Sequence, residues 1–239
     1  MFGLGGAAVA TCSALGTYDT TLLSVHMVQH MMLSMVVPIF LALGAPVTLA
    51  LRTLPARPRG WLLTVVHSRV AKVAAFPPLA LALFIGSPWA LYFSGWYEAT
   101  LRSPFLHDML HLHFVLIGCL FFWPLLGRDP VPGRVSYALR LIVIFLTLPF
   151  HAFLGVTIMS ANTLIAESWY RSLDLDWTSP VSDQHLAGAV LWASGDIIGL
   201  LFFAVLFVQW VQASHREAAR EDRRLDRLEA LGSHRGPAR

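Results

Sequence analysis

Residues 22–51 read LLSVHMVQHMMLSMVVPIFLALGAPVTLAL, and this run decides the fold of the chain. It contains no Asp, Glu, Lys or Arg, and the first charged residue after it is Arg52. A helix of about 20 apolar residues is long enough to cross the hydrocarbon core of a bilayer, which is about 30 Å thick. The run therefore predicts a membrane-spanning helix. Its Gly44-Ala45-Pro46 sequence predicts a break, which membrane helices tolerate when neighbouring helices satisfy the freed backbone groups.

The composition of the whole chain agrees with this interpretation. Of 239 residues, 56% are hydrophobic and only 13% are charged, and the mean hydropathy is +0.62. Soluble domains have about a quarter of their residues charged, so a soluble protein is excluded. Two cysteines are too few for a disulfide-stabilised secreted scaffold. The isoelectric point of about 9.2 does not imply a nucleic-acid partner, because the basic residues are not spread as a patch.

Six apolar stretches are long enough to be spans. They lie at roughly residues 2–16, 22–51, 73–93, 104–126, 135–161 and 184–213. We therefore predict an all-α, polytopic membrane helix bundle with about six transmembrane helices. This helical domain occupies residues 1–213. Residues 214–239, which hold seven Arg and five acidic residues, form a charged cytoplasmic tail.

The basic residues predict the orientation of the bundle. Residues 52–72, the connection at 127–140 and the tail hold 15 of the 17 Lys and Arg residues, and a six-span topology places these segments on one side. Because cytoplasmic segments of membrane proteins are enriched in Lys and Arg, both termini are expected in the cytoplasm. The basic residues outside the tail are Arg52, Arg57, Arg59, Arg69, Lys72, Arg128, Arg134 and Arg140 on this side, and Arg102 and Arg171 on the other.

Histidines concentrate at the opposite, outer ends of the predicted spans. His26 and His30 are four residues apart, and His107 and His111 repeat that spacing on another helix, so each pair lies on one helix face. Ionisable residues within spans face the bundle interior and indicate function by default. The alternative is a set of hydrogen-bonded contacts between helices. The candidate metal ligands are His26, His30, His107, His111, His151, Met27 and Met31.

The types of these side chains indicate a transition metal. Imidazole suits copper, zinc, iron and nickel, and a thioether shifts the preference toward Cu(I), so copper is the expected cofactor. Asp108 and Asp183 are expected to orient the imidazoles by accepting their second N–H. Asp196, deep in the last span, is either a proton or cation relay or a hydrogen-bonded contact between helices.

Five motifs resemble the polytopic CtaG family of bacterial cytochrome c oxidase assembly proteins. They are SVHMVQHMML at 24–33, LGAPVTLALR at 43–52, HDMLHLHF at 107–114, PFHAFLG at 149–155 and DQHLAG at 183–188. The resemblance implies copper delivery to the oxidase on the outer face of the bacterial plasma membrane. Family members usually have about seven spans. They more often carry Gln at the position of His185, so the resemblance gives His185 no essential ligand role.

The expected function is therefore a non-catalytic assembly factor that binds copper at an outer-leaflet His/Met site. Its expected partners are cytochrome c oxidase subunits and the lipid bilayer, and a homo-oligomer is compatible with the sequence. Three alternatives stay open: a membrane redox protein with bis-His haem or a di-iron centre, a metal transporter that uses Asp196, and a scaffold without metal.

Overall fold

The computed structural model describes residues 1–130 and 135–233, with side chains described as far as Leu228. Within these ranges every regular element is helical, which confirms the all-α prediction. Arg134, assigned above to the basic connection, and the end of the tail at 234–239 lie outside the described residues. The helices are α1 (Phe2–Cys12), α2 (Ala14–Tyr18), α3 (Leu23–Met31), α4 (Val37–Leu43), α5 (Pro46–Thr53), α6 (Ala56–Val66), α7 (Arg69–Ala74), α8 (Pro77–Tyr92), α9 (Trp96–Arg102), α10 (Pro104–Leu126), α11 (Tyr137–Ser160), α12 (Glu167–Ser172) and α13 (Pro180–Ser233).

Among the described residues, four helical segments are long and apolar enough to cross a membrane. They are Leu23–Thr53, Pro104–Leu126, Tyr137–Ser160 and Pro180–Leu228. Helices α8 and α9, which meet at a bend of 69°, make a fifth if the pair counts as one broken span. The protein is therefore a multi-pass helical membrane protein.

The first of the six predicted stretches is not a span in the structure, because it is not one helix. At Ser13 the backbone is extended, and its side chain caps the next helix by accepting a hydrogen bond from the Leu15 amide. The stretch is thereby divided into α1, of 11 residues, and α2, of 5 residues. Each is shorter than the roughly 20 residues that a span needs.

The first span changes its hydrogen-bond register between α3 and α4. Residues Met32–Val36 form a π-helical turn, in which the Val37 amide donates to the Met32 carbonyl five residues earlier. Pro38 follows and has no N–H, so the Ser34 carbonyl lacks its usual helical donor. A second break comes at Ala45, whose φ of 45° is left-handed, just before α5 begins at Pro46. The predicted break at Gly44-Ala45-Pro46 is thus present.

Helix α10 packs against this π-helical turn through a glycine. A Cβ atom on Gly118 would lie 2.1 Å from the Ser34 carbonyl oxygen and 2.4 Å from Pro38 Cγ. Such close backbone approach at a small residue is typical of helix packing in membranes. The contact determines how α10 sits against the first span, and these are the two elements that carry the paired histidines.

Helices α11 and α13 also approach each other closely. A Cβ on Gly155 would lie 2.7 Å from the Gly188 carbonyl oxygen, and a Cβ on Gly188 would lie 2.5 Å from the Gly155 carbonyl oxygen. About two turns after Gly188, Gly195 of α13 faces the His151 ring. A Cβ on Gly195 would lie 3.1 Å from His151 Cβ. Small residues therefore allow the two longest helices to pack with their backbones almost touching.

The bundle has two chemically different ends. At one end, Asp19 contacts His107 of α10, and Asp183 of α13 accepts a hydrogen bond from the Leu23 amide of α3. We call this the histidine end. At the other end, Arg140 of α11 donates to the Leu125 carbonyl of α10, and basic side chains surround a cavity. We call this the arginine end. The predicted separation of histidines from the basic connection is present.

Replacing Gly118 by Ala tests the contact between α10 and the first span. The added methyl group overlaps a backbone carbonyl that cannot rotate away, so we expect a loss of about 1–3 kcal/mol of stability. The measurement is the unfolding midpoint of the detergent-solubilised protein. Gly86→Ala in α8 is the matched control, because nothing lies within 4 Å of its virtual Cβ. Equal midpoints for the two variants would contradict the proposed role of Gly118.

Candidate metal site

The centre of the histidine end is Asp19, in the short connection between α2 and α3. Its side chain is buried, with 2% relative exposure. One carboxylate oxygen, Oδ2, lies 2.9 Å from His107 Nε2 and accepts a hydrogen bond from Gln29 Nε2 at 2.9 Å. Burial alone raises the pKa of the Asp19 carboxyl, but the contacts with His107, His111 and Gln29 outweigh it and hold that pKa well below its ordinary value. The group is therefore an ionised carboxylate at neutral pH.

Helix α10 brings two imidazoles to this carboxylate. Ser103 caps the helix by accepting from the Leu106 amide, and His107 and His111 follow in its first two turns on one face. Their ring centroids are 4.6 Å apart. His111 Nε2 lies 3.4 Å from Asp19 Oδ2, without hydrogen-bond geometry. One ligand atom from each of Asp19, His107 and His111 therefore lies within 4.8 Å of the other two.

Gln29 connects the carboxylate to the first span and to α1. Its Nε2 donates to Asp19 Oδ2 and also to the Ala10 carbonyl at 3.0 Å. Its Oε1 is buried and has no partner among the described residues. Because both amide hydrogens are used, Gln29 holds Asp19 in place and leaves an uncommitted acceptor at the site.

His26 and His30 are held together by one tyrosine. The Tyr92 hydroxyl of α8 lies 3.1 Å from His26 Nε2 and 2.7 Å from His30 Nδ1. A hydroxyl has one hydrogen to donate, so it donates to one imidazole and accepts from the other. The His30 ring also stacks on Phe114 of α10, with 4.1 Å between centroids. This pair is thus connected to α8 by hydrogen bonds, and the ligand roles predicted for His26 and His30 stay predictions.

The two histidine pairs adjoin each other. The His26 and His107 rings are 6.0 Å apart between centroids. Several imidazole nitrogens in the cluster are buried and have no hydrogen-bond partner among the described residues, although buried polar atoms are nearly always paired. These atoms are His26 Nδ1, His107 Nδ1 and His111 Nε2. The cluster therefore contains lone pairs or N–H groups that the protein itself leaves unused.

The other predicted ligands make different contacts. His151 contacts Phe84 of α8, at 5.4 Å between ring centroids, and its Nδ1 lies 3.3 Å from the Thr147 carbonyl oxygen. Met27 and Met31 are buried in the hydrophobic core. The structure therefore brings His26, His30, His107 and His111 together, whereas the contacts described for His151 are with Phe84 and the Thr147 carbonyl.

The two predicted orienting carboxylates do not reach the imidazoles. Asp108 is exposed on the outer face of α10. Asp183 is buried and caps α3, since its Oδ2 accepts from the Leu23 amide at 2.7 Å and its Oδ1 accepts from the Ser24 hydroxyl at 2.5 Å. In the structure the carboxylate next to the imidazoles is that of Asp19, because the α2–α3 connection folds against the start of α10.

Sequence reasoning missed Asp19, Gln29 and Tyr92. A usable signal for Asp19 was present, since it is the only acidic residue before Glu98 and lies seven residues from His26. Gln29 lies between the two histidines of the first motif. Tyr92 had no comparable signal, because only the packing of α8 against α3 places its hydroxyl between two imidazoles.

The fold and this cluster define a class: a multi-pass α-helical membrane protein with a buried histidine–carboxylate cluster at one end of its bundle. Comparison with known families narrows the class. The model of the cytochrome c oxidase caa3 assembly factor family, Caa3_CtaG, matches residues 1–213. The chain belongs to this family, and the resemblance found in its motifs is confirmed.

Among curated proteins, similar sequences occur in mycobacteria. Uncharacterized proteins of Mycobacterium leprae (strain TN) and Mycobacterium bovis (strain ATCC BAA-935 / AF2122/97) are each 38% identical to this chain over 222 residues. The matches cover 90% of this chain and 34% of each relative. The chain thus spans about a third of the length of these relatives. No solved structure matches significantly.

Tyr92→Phe tests the bridge between His26 and His30. Removing the hydroxyl leaves two buried ring nitrogens without their partner, and we expect about 1–3 kcal/mol of destabilisation. The unfolding midpoint in detergent measures it. Tyr137→Phe is the control, because the Tyr137 hydroxyl has no hydrogen bond to any described residue. A Tyr92 variant as stable as the control would show that the bridge contributes nothing.

Asp183→Ala tests whether this carboxylate is a helix cap. Loss of its hydrogen bonds to the start of α3 is expected to cost about 1–3 kcal/mol. Asp108→Ala, on an exposed position, should leave stability unchanged. Thermal unfolding compares the two, and a larger effect at Asp108 would reverse the assignment.

Proposed function

We propose that this protein is a non-catalytic assembly factor that binds copper at the histidine end and passes it to cytochrome c oxidase. The family to which the chain belongs is described as a cytochrome c oxidase caa3 assembly factor, which implies association with the oxidase. The observation that carries copper binding is the convergence of Asp19, His107 and His111, whose ligand atoms lie within 4.8 Å of one another. Copper is the cargo in this proposal.

The dimensions of this triad suit a metal ion. With metal–ligand bonds of about 2.0–2.1 Å, ligands in tetrahedral arrangement are roughly 3.4 Å apart. Asp19 Oδ2 already lies 2.9 Å from His107 Nε2 and 3.4 Å from His111 Nε2, and the buried His111 Nε2 lacks a hydrogen-bond partner among the described residues. His26, adjacent to His107, is available as a further nitrogen ligand. An ion that binds here replaces the hydrogen bond between His107 Nε2 and Asp19 Oδ2.

The donor set bears on the oxidation state of the copper. Two imidazoles and a carboxylate suit divalent ions, whereas thioethers favour Cu(I). Met27 and Met31 lie in the core, so we propose that the triad takes Cu(II) and that Cu(I) needs rearrangement around the methionines. The ligand roles predicted for His151, Met27 and Met31 remain predictions.

The proposed orientation follows from charge. The arginine end carries most of the basic connections, and such segments are retained in the cytoplasm. We propose that the protein lies in the bacterial plasma membrane with its C-terminus in the cytoplasm and its histidine end facing outward. A site near the outer surface with few ligands and unused imidazole nitrogens favours exchange over permanent retention of the ion.

The test is the metal affinity of the purified protein. The protein in detergent is titrated with Cu(II), and separately with Cu(I) under reducing conditions, against a chelator of known affinity. We expect Asp19→Asn and His107→Ala to weaken copper binding by at least about 100-fold, since even an outer partner of a ligand is worth about 10–100-fold. His113→Ala is the matched control, because His113 lies on the same helix but is hydrogen-bonded to Ser87.

Each outcome decides between functions. Copper binding that is lost in the triad variants and kept in the control supports the proposal. Wild-type protein that binds no copper in either oxidation state overturns it and favours a scaffold. Two histidines and one carboxylate are also the ligand set of mononuclear iron sites, so protein that retains iron through purification would favour the redox alternative.

A further inference from the structure

We propose that the cavity at the arginine end binds a phosphate-bearing anion, in the membrane the headgroup of an anionic phospholipid. The cavity has a volume of about 870 Å³. It lies between α5, α6, the C-terminal end of α10 and the N-terminal end of α11. The lining residues that matter for charge are Arg52, Arg59, Arg128, Asp129 and Arg140.

The charge of this lining is strongly positive. Four guanidinium groups face one carboxylate among the described lining residues. That carboxylate is already engaged, because Asp129 accepts hydrogen bonds from the Thr48 amide at 2.7 Å, the Thr48 hydroxyl at 2.6 Å and Trp123 Nε1 at 2.8 Å. It therefore holds α5 against α10, and its single charge does not balance four arginines. A bound anion would balance the excess positive charge of the cavity.

The arginines divide into one structural residue and three with free donors. Arg140 donates hydrogen bonds to the Val135 and Leu125 carbonyls. It also packs closely on Gly127, whose φ is 60°: a Cβ on Gly127 would lie 2.9 Å from the guanidinium nitrogens of Arg140. By contrast, the one hydrogen bond described for Arg128 is long, with 3.5 Å between its Nη1 and the Leu43 carbonyl oxygen. Arg52 and Arg59 are exposed, and neither has a hydrogen bond or ion pair with a described residue.

Phosphate is the anion that best fits such a lining. The planar guanidinium group binds phosphate oxygens through two parallel N–H groups, and several arginines together can surround one phosphate. The cavity lies where span Pro104–Leu126 ends and span Tyr137–Ser160 begins, which is the level of lipid headgroups. Basic pockets between transmembrane helices on the cytoplasmic side bind anionic headgroups. Free phosphate shares this chemistry, and the experiment distinguishes the two sources.

The experiment measures binding of two probes to the purified full chain in neutral detergent. The first is phosphatidylglycerol with a fluorescent acyl chain, displaced by unlabelled phosphatidylglycerol or phosphatidylcholine. The second is radiolabelled inorganic phosphate in equilibrium dialysis. The test variant is Arg52→Gln/Arg59→Gln. The control is Arg220→Gln/Arg224→Gln in α13, which removes the same charge from exposed positions that do not line this cavity. Circular dichroism verifies that both variants are folded.

We expect phosphatidylglycerol, and not phosphatidylcholine, to displace the lipid probe. The test variant should bind it about 25-fold more weakly, since each basic residue near a headgroup contributes roughly fivefold. The control should bind like wild type. If inorganic phosphate binds in an arginine-dependent manner and the lipid probe does not bind, the cavity is an anion site whose ligand is free phosphate. Absence of binding of both probes, equal displacement by phosphatidylcholine, or an equal loss in the control would overturn the proposal.

Discussion

The Asp19 carboxylate is the interaction on which the histidine end depends. A buried charge is stable only when hydrogen-bond donors surround it. Asp19 obtains them from His107 and Gln29, with His111 close by. The α2–α3 connection, the first span and α10 must therefore be in register before this charge can be buried. The same requirement assembles a carboxylate and two imidazoles at one point, so the structural constraint and the candidate metal site are the same set of atoms.

Backbone contacts at glycines make this register possible. Gly118 allows α10 to approach the Ser34 carbonyl in the π-helical turn, and Gly155 and Gly188 do the same for α11 and α13. Apolar side chains supply little specificity in a bilayer, because lipid tails are as apolar as leucine. Close contacts at small residues and buried polar groups therefore determine which helices are neighbours, and the histidine cluster is held by both.

The two ends of the bundle use polar residues differently. At the histidine end they are buried and form hydrogen bonds around Asp19, and a few imidazole atoms have no partner among the described residues. At the arginine end positive charge exceeds negative charge around an open cavity, with Asp129 committed to Thr48 and Trp123. The first arrangement suits a cation, and the second suits an anion.

The sequence by itself determined the membrane class, the helical fold, the family and the separation of histidines from arginines, because apolar length, charge and motifs are local properties. It also predicted that the pairs His26/His30 and His107/His111 lie on single helix faces. Only the tertiary structure decided that Asp19 joins His107 and His111, that Tyr92 bridges His26 and His30, and that Asp183 caps a helix. These contacts join residues between 62 and 160 positions apart, so their geometry depends on how helices pack and is absent from local patterns.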